Sequence, residues 1–192
     1  KINSLKTDEA IASGMEHAIR HVISTKMEDN PVHYTSLLEK LQKILEETET
    51  SWQERKQQLQ EFIDRDIETG EDEEAKKLGF ESKEEFALYE VIKDSLVDEE
   101  EVANDKAKES SIGYVSQNII DLSKEMALDV SETIKENYLI GWVNNQAKTD
   151  EIDKAIYQML IKKYIKKVEL SKIKQMKTPL LQLAKRHYAT ID

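Results

Sequence analysis

The stretch from Gly141 to Val168 restricts the fold of this chain more than any other, because capping, periodicity and charge there predict the same helix. Thr149 has the hydroxyl of a good N-cap, and acidic residues follow it in the first turn, where the helix dipole favours negative charge. Apolar residues recur at steps of three and four and so share one face: Ile152, Ile156, Met159, Leu160, Tyr164 and Val168. Trp142 precedes this helix, and we expect it to close the core at the helix entrance.

Helix-breaking residues are scarce throughout the sequence. Only 5 glycines and 2 prolines occur in 192 residues, and this scarcity is typical of helices joined by short polar connections. The sequence contains no strand-like alternation and no internal repeat. We therefore predict an all-α fold, a bundle-like domain of roughly six to eight helices with no significant sheet.

The first part of the chain is predicted to hold two helical regions. The first spans Thr7 to Met27, with the Thr7 hydroxyl as its cap. Asn30–Pro31 starts the second region, since proline suits the first turn of a helix, and the region continues to about Thr69. Glu46–Ser51 has no apolar residue, and its serine can cap a new helix, so we expect a kink, a short break or a long helix whose neighbour changes there.

A short helical turn at Asp72–Leu78, stopped by a left-handed Gly79, is predicted next. Ser82 and Glu85 then form a capping box for a further helix. The charged stretch Asp98–Ser111 is poor in large apolar residues, so we expect it to be an exposed connection.

Beyond this connection we predict a helix over Tyr114–Leu128 and a separate short helix from Ser131 towards Trp142. Thr178–Pro179 is predicted to start the last helix, because proline is favoured in a first turn. That helix would carry the apolar residues Leu180, Leu181, Leu183, Ala184 and Tyr188.

The sequence offers no credible active site. It has no cysteine, which excludes disulfides and thiolate metal sites and fits a reducing, cytoplasmic location. His17 and His21 have the spacing of a metal pair, but no third ligand follows, and we favour a hydrogen-bonding role for them. No phosphate-binding loop and no G-x-S-x-G motif occurs. We therefore predict no catalytic, cofactor-binding or metal-binding residue here, and no membrane span, since no run of about 18 apolar residues exists.

Charge is distributed unevenly along the chain. Residues 46–109 carry 23 acidic and 9 basic side chains, whereas residues 150–192 carry 5 and 10. Possible contacts with a partner or with DNA are Lys162, Lys163, Lys166, Lys167, Lys172, Lys174 and Arg186, with Lys177 and Lys185 in the same basic segment. This segment contacts phosphates or an acidic protein, or it is a solvated face that balances helix dipoles and the chain's own acidic residues.

Several strings resemble the helical C-terminal region of type I restriction enzyme R subunits. They are Met15-Glu16-His17-Ala18-Ile19-Arg20-His21, Asn30-Pro31-Val32-His33-Tyr34, Leu37-Leu38-Glu39-Lys40-Leu41, Leu78-Gly79-Phe80, Glu84-Glu85-Phe86-Ala87-Leu88-Tyr89 and Ile140-Gly141-Trp142. Their order and spacing also agree with that family, and together they cover nearly the whole chain. The family often has Asp before the tryptophan, where this chain has Gly141.

The resemblance implies that residues 1–192 are the helical C-terminal domain of a larger subunit, and the start at Lys1 instead of Met leads to the same expectation. A subdivision into 1–97 and 112–192, around the connection 98–111, is also considered. The parent R subunit would be an ATP-dependent DNA translocase and endonuclease, for which ATP and Mg are implied. Its nuclease and motor motifs are not in this sequence, so no cofactor is expected here.

Two functions follow from these expectations. In the first, the chain is a non-catalytic assembly domain whose partners are the methyltransferase (M) and specificity subunits of the type I complex, with DNA reached through the parent complex. In the second, it is a DNA-contacting module that uses the basic segment. An independent enzyme has no support in the sequence.

Overall fold

The structure, a computed structural model, describes residues 7–97 and 116–190. Within these ranges 81% of the residues are helical and no strand occurs, which confirms the predicted all-α class. The eight helices are α1 (Asp8–Lys26), α2 (Pro31–Glu47), α3 (Trp52–Phe62), α4 (Gly70–Leu78), α5 (Lys83–Leu96), α6 (Gln117–Glu136), α7 (Gln146–Tyr164) and α8 (Leu170–His187). None of the helices in the described ranges combines the length and the apolar character that crossing a lipid bilayer requires.

The chain divides into two compact units, an N-terminal unit (Lys1–Lys83) and a C-terminal unit (Glu84–Asp192). The boundary thus falls directly after the first residue of α5, whereas the subdivision considered from the sequence placed it at 98–111, which lies outside the described residues. Hydrogen bonds explain why α5 belongs to the second unit. Its Glu85 carboxylate accepts a hydrogen bond from Ser131 of α6, and the Lys172 ammonium of α8 donates to the carbonyl of Leu96.

Helices α1, α2 and α3 enclose the core of the N-terminal unit. The predicted caps form as expected: Thr7 accepts a hydrogen bond from the amide of Ala10, and Asn30 accepts one from His33 ahead of Pro31. The buried core residues come from one face of each helix, as helical periodicity requires: Ala12, Met15, Ile19, Ile23, Tyr34, Leu37, Leu41, Leu59 and Phe62.

Of the three alternatives predicted at Glu46–Ser51, the structure shows the short break, which lies between α2 and α3 and is stabilised by a side chain that follows it. Ser51 caps α3 by accepting a hydrogen bond from the amide of Glu54. The Arg55 guanidinium reaches back and donates to the carbonyl of Leu45 at 3.0 Å and to the Thr48 hydroxyl at 3.2 Å. These bonds satisfy the end of α2, so the chain can turn without leaving its last carbonyls unpaired.

Directly after α3, residues Ile63–Ile67 form a π-helical turn, whereas the sequence predicted only that the helical region continues to about Thr69. Helix α4 then ends as predicted at Gly79, whose φ of 76° is a left-handed conformation that glycine adopts without a Cβ clash. Glu71 links α4 to the start of α2. Its carboxylate accepts hydrogen bonds from the side-chain amide of Asn30 at 3.2 Å and from the Tyr34 hydroxyl at 3.0 Å.

The C-terminal unit corrects the prediction of two helices between Tyr114 and Trp142. Helix α6 runs unbroken from Gln117 to Glu136. Ser131 does not begin a new helix, because its side chain is buried and its hydroxyl is used in tertiary hydrogen bonds with Glu85 and Tyr188. Without glycine or proline near this position, nothing in the backbone requires a break.

The start of α7 also differs from the prediction. Asn145 is the N-cap, accepting a hydrogen bond from the amide of Lys148, and the helix begins at Gln146. Thr149, the predicted cap, lies inside the helix, where its buried hydroxyl donates to the carbonyl of Trp142 at 2.9 Å. The predicted apolar face is confirmed, with Ile152, Ile156, Leu160 and Tyr164 buried.

The last helix, α8, begins at Leu170, so the predicted start at Thr178–Pro179 is wrong. Pro179 lies in the helix interior, where it removes one backbone hydrogen bond and ordinarily destabilises a helix by about 3 kcal/mol. Residues on both sides of the proline are buried on one face, and this packing holds the two halves in one helix: Ile173, Met176, Leu180, Leu183 and Ala184.

Candidate functional site

The basic segment of the C-terminal unit separates into lysines with intramolecular partners and lysines without them. Four of the lysines are bonded within the unit: Lys163 to Asp129 at 2.9 Å, Lys167 to Glu125 at 3.4 Å, Lys177 to Asp153 at 2.7 Å, and Lys172 to the carbonyl of Leu96 at 2.7 Å. Three of these bonds join α7, α8 or the connection between them to acidic residues of the same unit. Part of the segment therefore balances charge within the fold.

Three other lysines, Lys162, Lys166 and Lys174, are exposed and have no partner among residues 7–97 and 116–190. They lie on α7, on the connection after it and on α8. Arg186 is also exposed, near the end of α8. The three lysines are the part of the predicted contact set that has no partner within the described residues and remains available to an external group.

Asp129 of α6, one of these acidic partners, accepts hydrogen bonds through both of its carboxylate oxygens. One of its carboxylate oxygens accepts a hydrogen bond from the Tyr164 hydroxyl at 2.5 Å, and the other accepts one from the Lys163 ammonium at 2.9 Å. Burial and the hydrogen bond to Asp129 raise the pKa of Tyr164 well above its usual value. The hydrogen bond from Lys163 to Asp129 raises the pKa of Lys163. The cluster fastens α6 to the end of α7.

Trp142 is the centre of a second polar network, and it is fully buried as predicted. Its indole Nε1 donates to the carbonyl of Tyr188 at 2.9 Å. The Tyr188 hydroxyl donates to Ser131 at 3.0 Å, and Ser131 donates to the Glu85 carboxylate at 3.0 Å. This chain of bonds links α5, α6 and the end of α8 around the tryptophan.

Burial raises the pKa of Tyr188 to about 12, against roughly 10 for an unperturbed tyrosine. Because the raised pKa favours the neutral phenol in the folded state, its stabilisation is complete below pH 10 and is lost as the pH rises towards 12. We expect urea denaturation to show that, between pH 10 and 12, the free energy of unfolding of wild type falls by about 2 kcal/mol more than that of Tyr188→Phe.

Between pH 7 and 9 the difference in unfolding free energy between these two proteins should stay constant, because Tyr188 is neutral in both states there. Equal slopes for wild type and Tyr188→Phe above pH 10 would contradict the assignment of this effect to Tyr188.

A tight turn precedes the buried tryptophan. The amide of Trp142 donates to the carbonyl of Leu139 at 3.0 Å, and Gly141 has a φ of 71°, which favours glycine. The Lys148 ammonium donates to the carbonyl of Ile140 at 2.8 Å. The side chain of Ile140 itself is 84% exposed.

His17 and His21 are both exposed on α1, and neither belongs to a cluster of three potential metal ligands within the described residues. The carbonyl of His21 accepts hydrogen bonds from the hydroxyls of Ser24 and Thr25. These bonds involve the backbone of His21 and not an imidazole, so the hydrogen-bonding role of the two histidine side chains stays a prediction.

Ile140 was not among the surface residues predicted from the sequence, although one feature of the sequence points to it. Residues 137–147 (NYLIGWVNNQA) contain no charged side chain in a chain of which 35% is charged. Within this run the sequence pattern predicted Trp142 as a core residue and gave no prediction for Ile140.

No protein-family model, curated protein or solved structure matches this chain.

Proposed function

We propose that this chain is a non-catalytic helical assembly domain of a type I restriction enzyme R subunit. It docks the nuclease and motor parts of that subunit onto the cytoplasmic methyltransferase core, formed by the M and specificity subunits. ATP and Mg would serve the motor domains of the parent protein, and DNA would be reached through the complex.

The observation that carries this proposal is the resemblance of ordered strings along the chain, together with their positions in the described fold. Asn30 and Pro31 start α2, and Gly79 stops α4. Trp142 anchors the core of the C-terminal unit. These strings define the architecture, so what the resemblance transfers to this chain is a helical scaffold, and a scaffold suits an assembly role.

The experiment is a binding titration of the 192-residue chain against the purified M and specificity subunits, with and without DNA. We expect saturable binding that does not need DNA, with a Kd of about 1 μM or tighter. Absence of binding in both conditions would overturn the proposal. Binding that appears only with DNA would favour the alternative, a DNA-contacting module.

Charge reversal separates the two functions further. Lys162, Lys166 and Lys174 lack partners among the described residues, so Lys→Glu changes there leave the internal ion pairs intact. For a DNA-contacting module, each lost phosphate contact should reduce the slope of log K against log salt by about 0.9. For an assembly domain, the affinity for the methyltransferase core should change by less than about threefold, since rim charges contribute little.

A further inference from the structure

An open groove with an acidic lining lies at the turn between α2 and α3 of the N-terminal unit. Its volume is about 420 Å³. The residues that line this α2–α3 groove are Gln42, Leu45, Glu46, Glu49 and Arg55. Residues 46–55 carry four acidic side chains and only one basic side chain. The groove therefore presents negative charge to a molecule outside the chain.

The charged groups of the groove differ in how far the fold already uses them. The Arg55 guanidinium donates to the carbonyl of Leu45 and to the Thr48 hydroxyl, so it is held at the end of α2. The Glu46 carboxylate accepts a hydrogen bond from the side-chain amide of Gln42 at 2.9 Å. Glu49 is exposed, and its carboxylate has no partner among residues 7–97 and 116–190.

Large apolar side chains are exposed beside these carboxylates. Trp52 stacks one side of its ring on Arg55 and is still 40% exposed. Leu38 is 38% exposed, and it shares one face of α2 with Gln42 and Leu45, because the three follow at steps of four and three. A partly exposed tryptophan beside a groove is typical of the anchor positions of protein–protein interfaces.

The C-terminal unit carries a surface of opposite charge where α7 turns into α8. Residues 162–174 contain six lysines and one glutamate. Two large apolar side chains in this stretch are each 42% exposed, and three of its lysines have no partner in the described part of the chain. These five residues form the α7–α8 corner: Lys162, Ile165, Lys166, Leu170 and Lys174.

We propose that the α7–α8 corner of one copy of this chain docks into the α2–α3 groove of a second copy. The ammonium groups of the corner pair with the carboxylates of Glu46 and Glu49, and its apolar side chains pack on Trp52 and Leu38. Charge complementarity supports this occupant, because the two surfaces have opposite charge and both are exposed in the single chain. DNA does not fit the groove, since carboxylates repel phosphates.

The contact joins two different surfaces, so it is a heterologous contact between copies. It needs no other subunit and goes beyond the assembly function. Its failure would therefore leave that function standing.

Sedimentation equilibrium of the 192-residue chain tests the contact. At about 50 mM NaCl we expect self-association with a Kd of about 10–100 μM, weakened at least about tenfold at about 500 mM NaCl, where exposed charges are screened. Glu46→Lys/Glu49→Lys should raise the Kd at least about 30-fold, because it places like charges opposite each other. The loss of the anchoring ring in Trp52→Ala should raise it about 10-fold.

The matched control is Glu68→Lys/Glu81→Lys, which changes the net charge by the same amount at two exposed positions of the same unit. Its Kd should stay within about twofold of wild type. All of these variants should keep the wild-type Tm within about 5 °C, since the altered side chains are wholly or partly exposed.

Mixing two variants tests whether these two surfaces meet each other. Lys162→Glu/Lys166→Glu, like Glu46→Lys/Glu49→Lys, should remain monomeric alone up to about 300 μM. An equimolar mixture should associate with a Kd within about threefold of wild type, because each altered surface then faces one of opposite charge.

Three results would overturn the proposal. They are a wild-type chain that stays monomeric up to about 1 mM, an equal loss of association in the control variant, and a mixture that stays monomeric.

Discussion

Trp142→Ala is expected to lower the free energy of unfolding of the C-terminal unit by about 3–5 kcal/mol. The indole is fully buried, so its removal leaves a large cavity beside Tyr188. The change also leaves the carbonyl of Tyr188 without the hydrogen bond from Nε1, and an unpaired buried acceptor adds to the loss. Urea denaturation followed by far-UV circular dichroism measures this change.

Trp52 provides the matched control for this measurement. It is 40% exposed, and its ring lies 4.7 Å from the Arg55 guanidinium. Trp52→Ala should therefore cost only about 1 kcal/mol, mostly through the lost cation–π contact. If Trp142→Ala and Trp52→Ala lowered the free energy of unfolding by similar amounts, burial would not be the main contribution of Trp142 to stability, and this interpretation of the geometry would be wrong.

Leu37→Ala is expected to destabilise the N-terminal unit by about 3 kcal/mol, while Leu38→Ala costs less than about 1 kcal/mol. The two leucines are adjacent on α2, but Leu37 is 2% exposed and Leu38 is 38% exposed. Both changes replace leucine with alanine in a helix interior, so intrinsic helix propensity is the same and the difference isolates burial.

The midpoints of urea denaturation of the two leucine variants, with equal slopes, give this difference directly. If the two variants unfolded at the same urea concentration, the inward orientation of Leu37 on α2 would be wrong. A shift in the slope of either variant would indicate a change in the unfolded state instead of lost packing.

Local signals in the sequence predicted the helix class and most of the capped ends. Asn30–Pro31, Ser51 and Gly79 act on groups within four residues, so their effect can be read along the chain. The face carried by Ile152 to Tyr164 was likewise predictable, because periodicity reports which side of a helix is apolar.

The wrong predictions share one physical cause, which is that a tertiary partner overrode a local preference. Thr149 and Ser131 have good capping side chains, but both hydroxyls bond to groups elsewhere in the C-terminal unit. Pro179 is favoured in a first turn, yet packing on both sides of it extends α8 through this position. Capping preferences amount to about 1 kcal/mol, and burial of a helix face exceeds that.

The candidate surfaces depend even more on the tertiary structure. The sequence by itself determined a basic C-terminal segment and an uncharged run at 137–147. Only the fold decided that Lys163 binds Asp129, which is 34 residues away, and that Lys162 keeps a free ammonium among the described residues. Only the fold buried Trp142 while exposing Ile140, because a single turn directs neighbouring side chains to opposite environments.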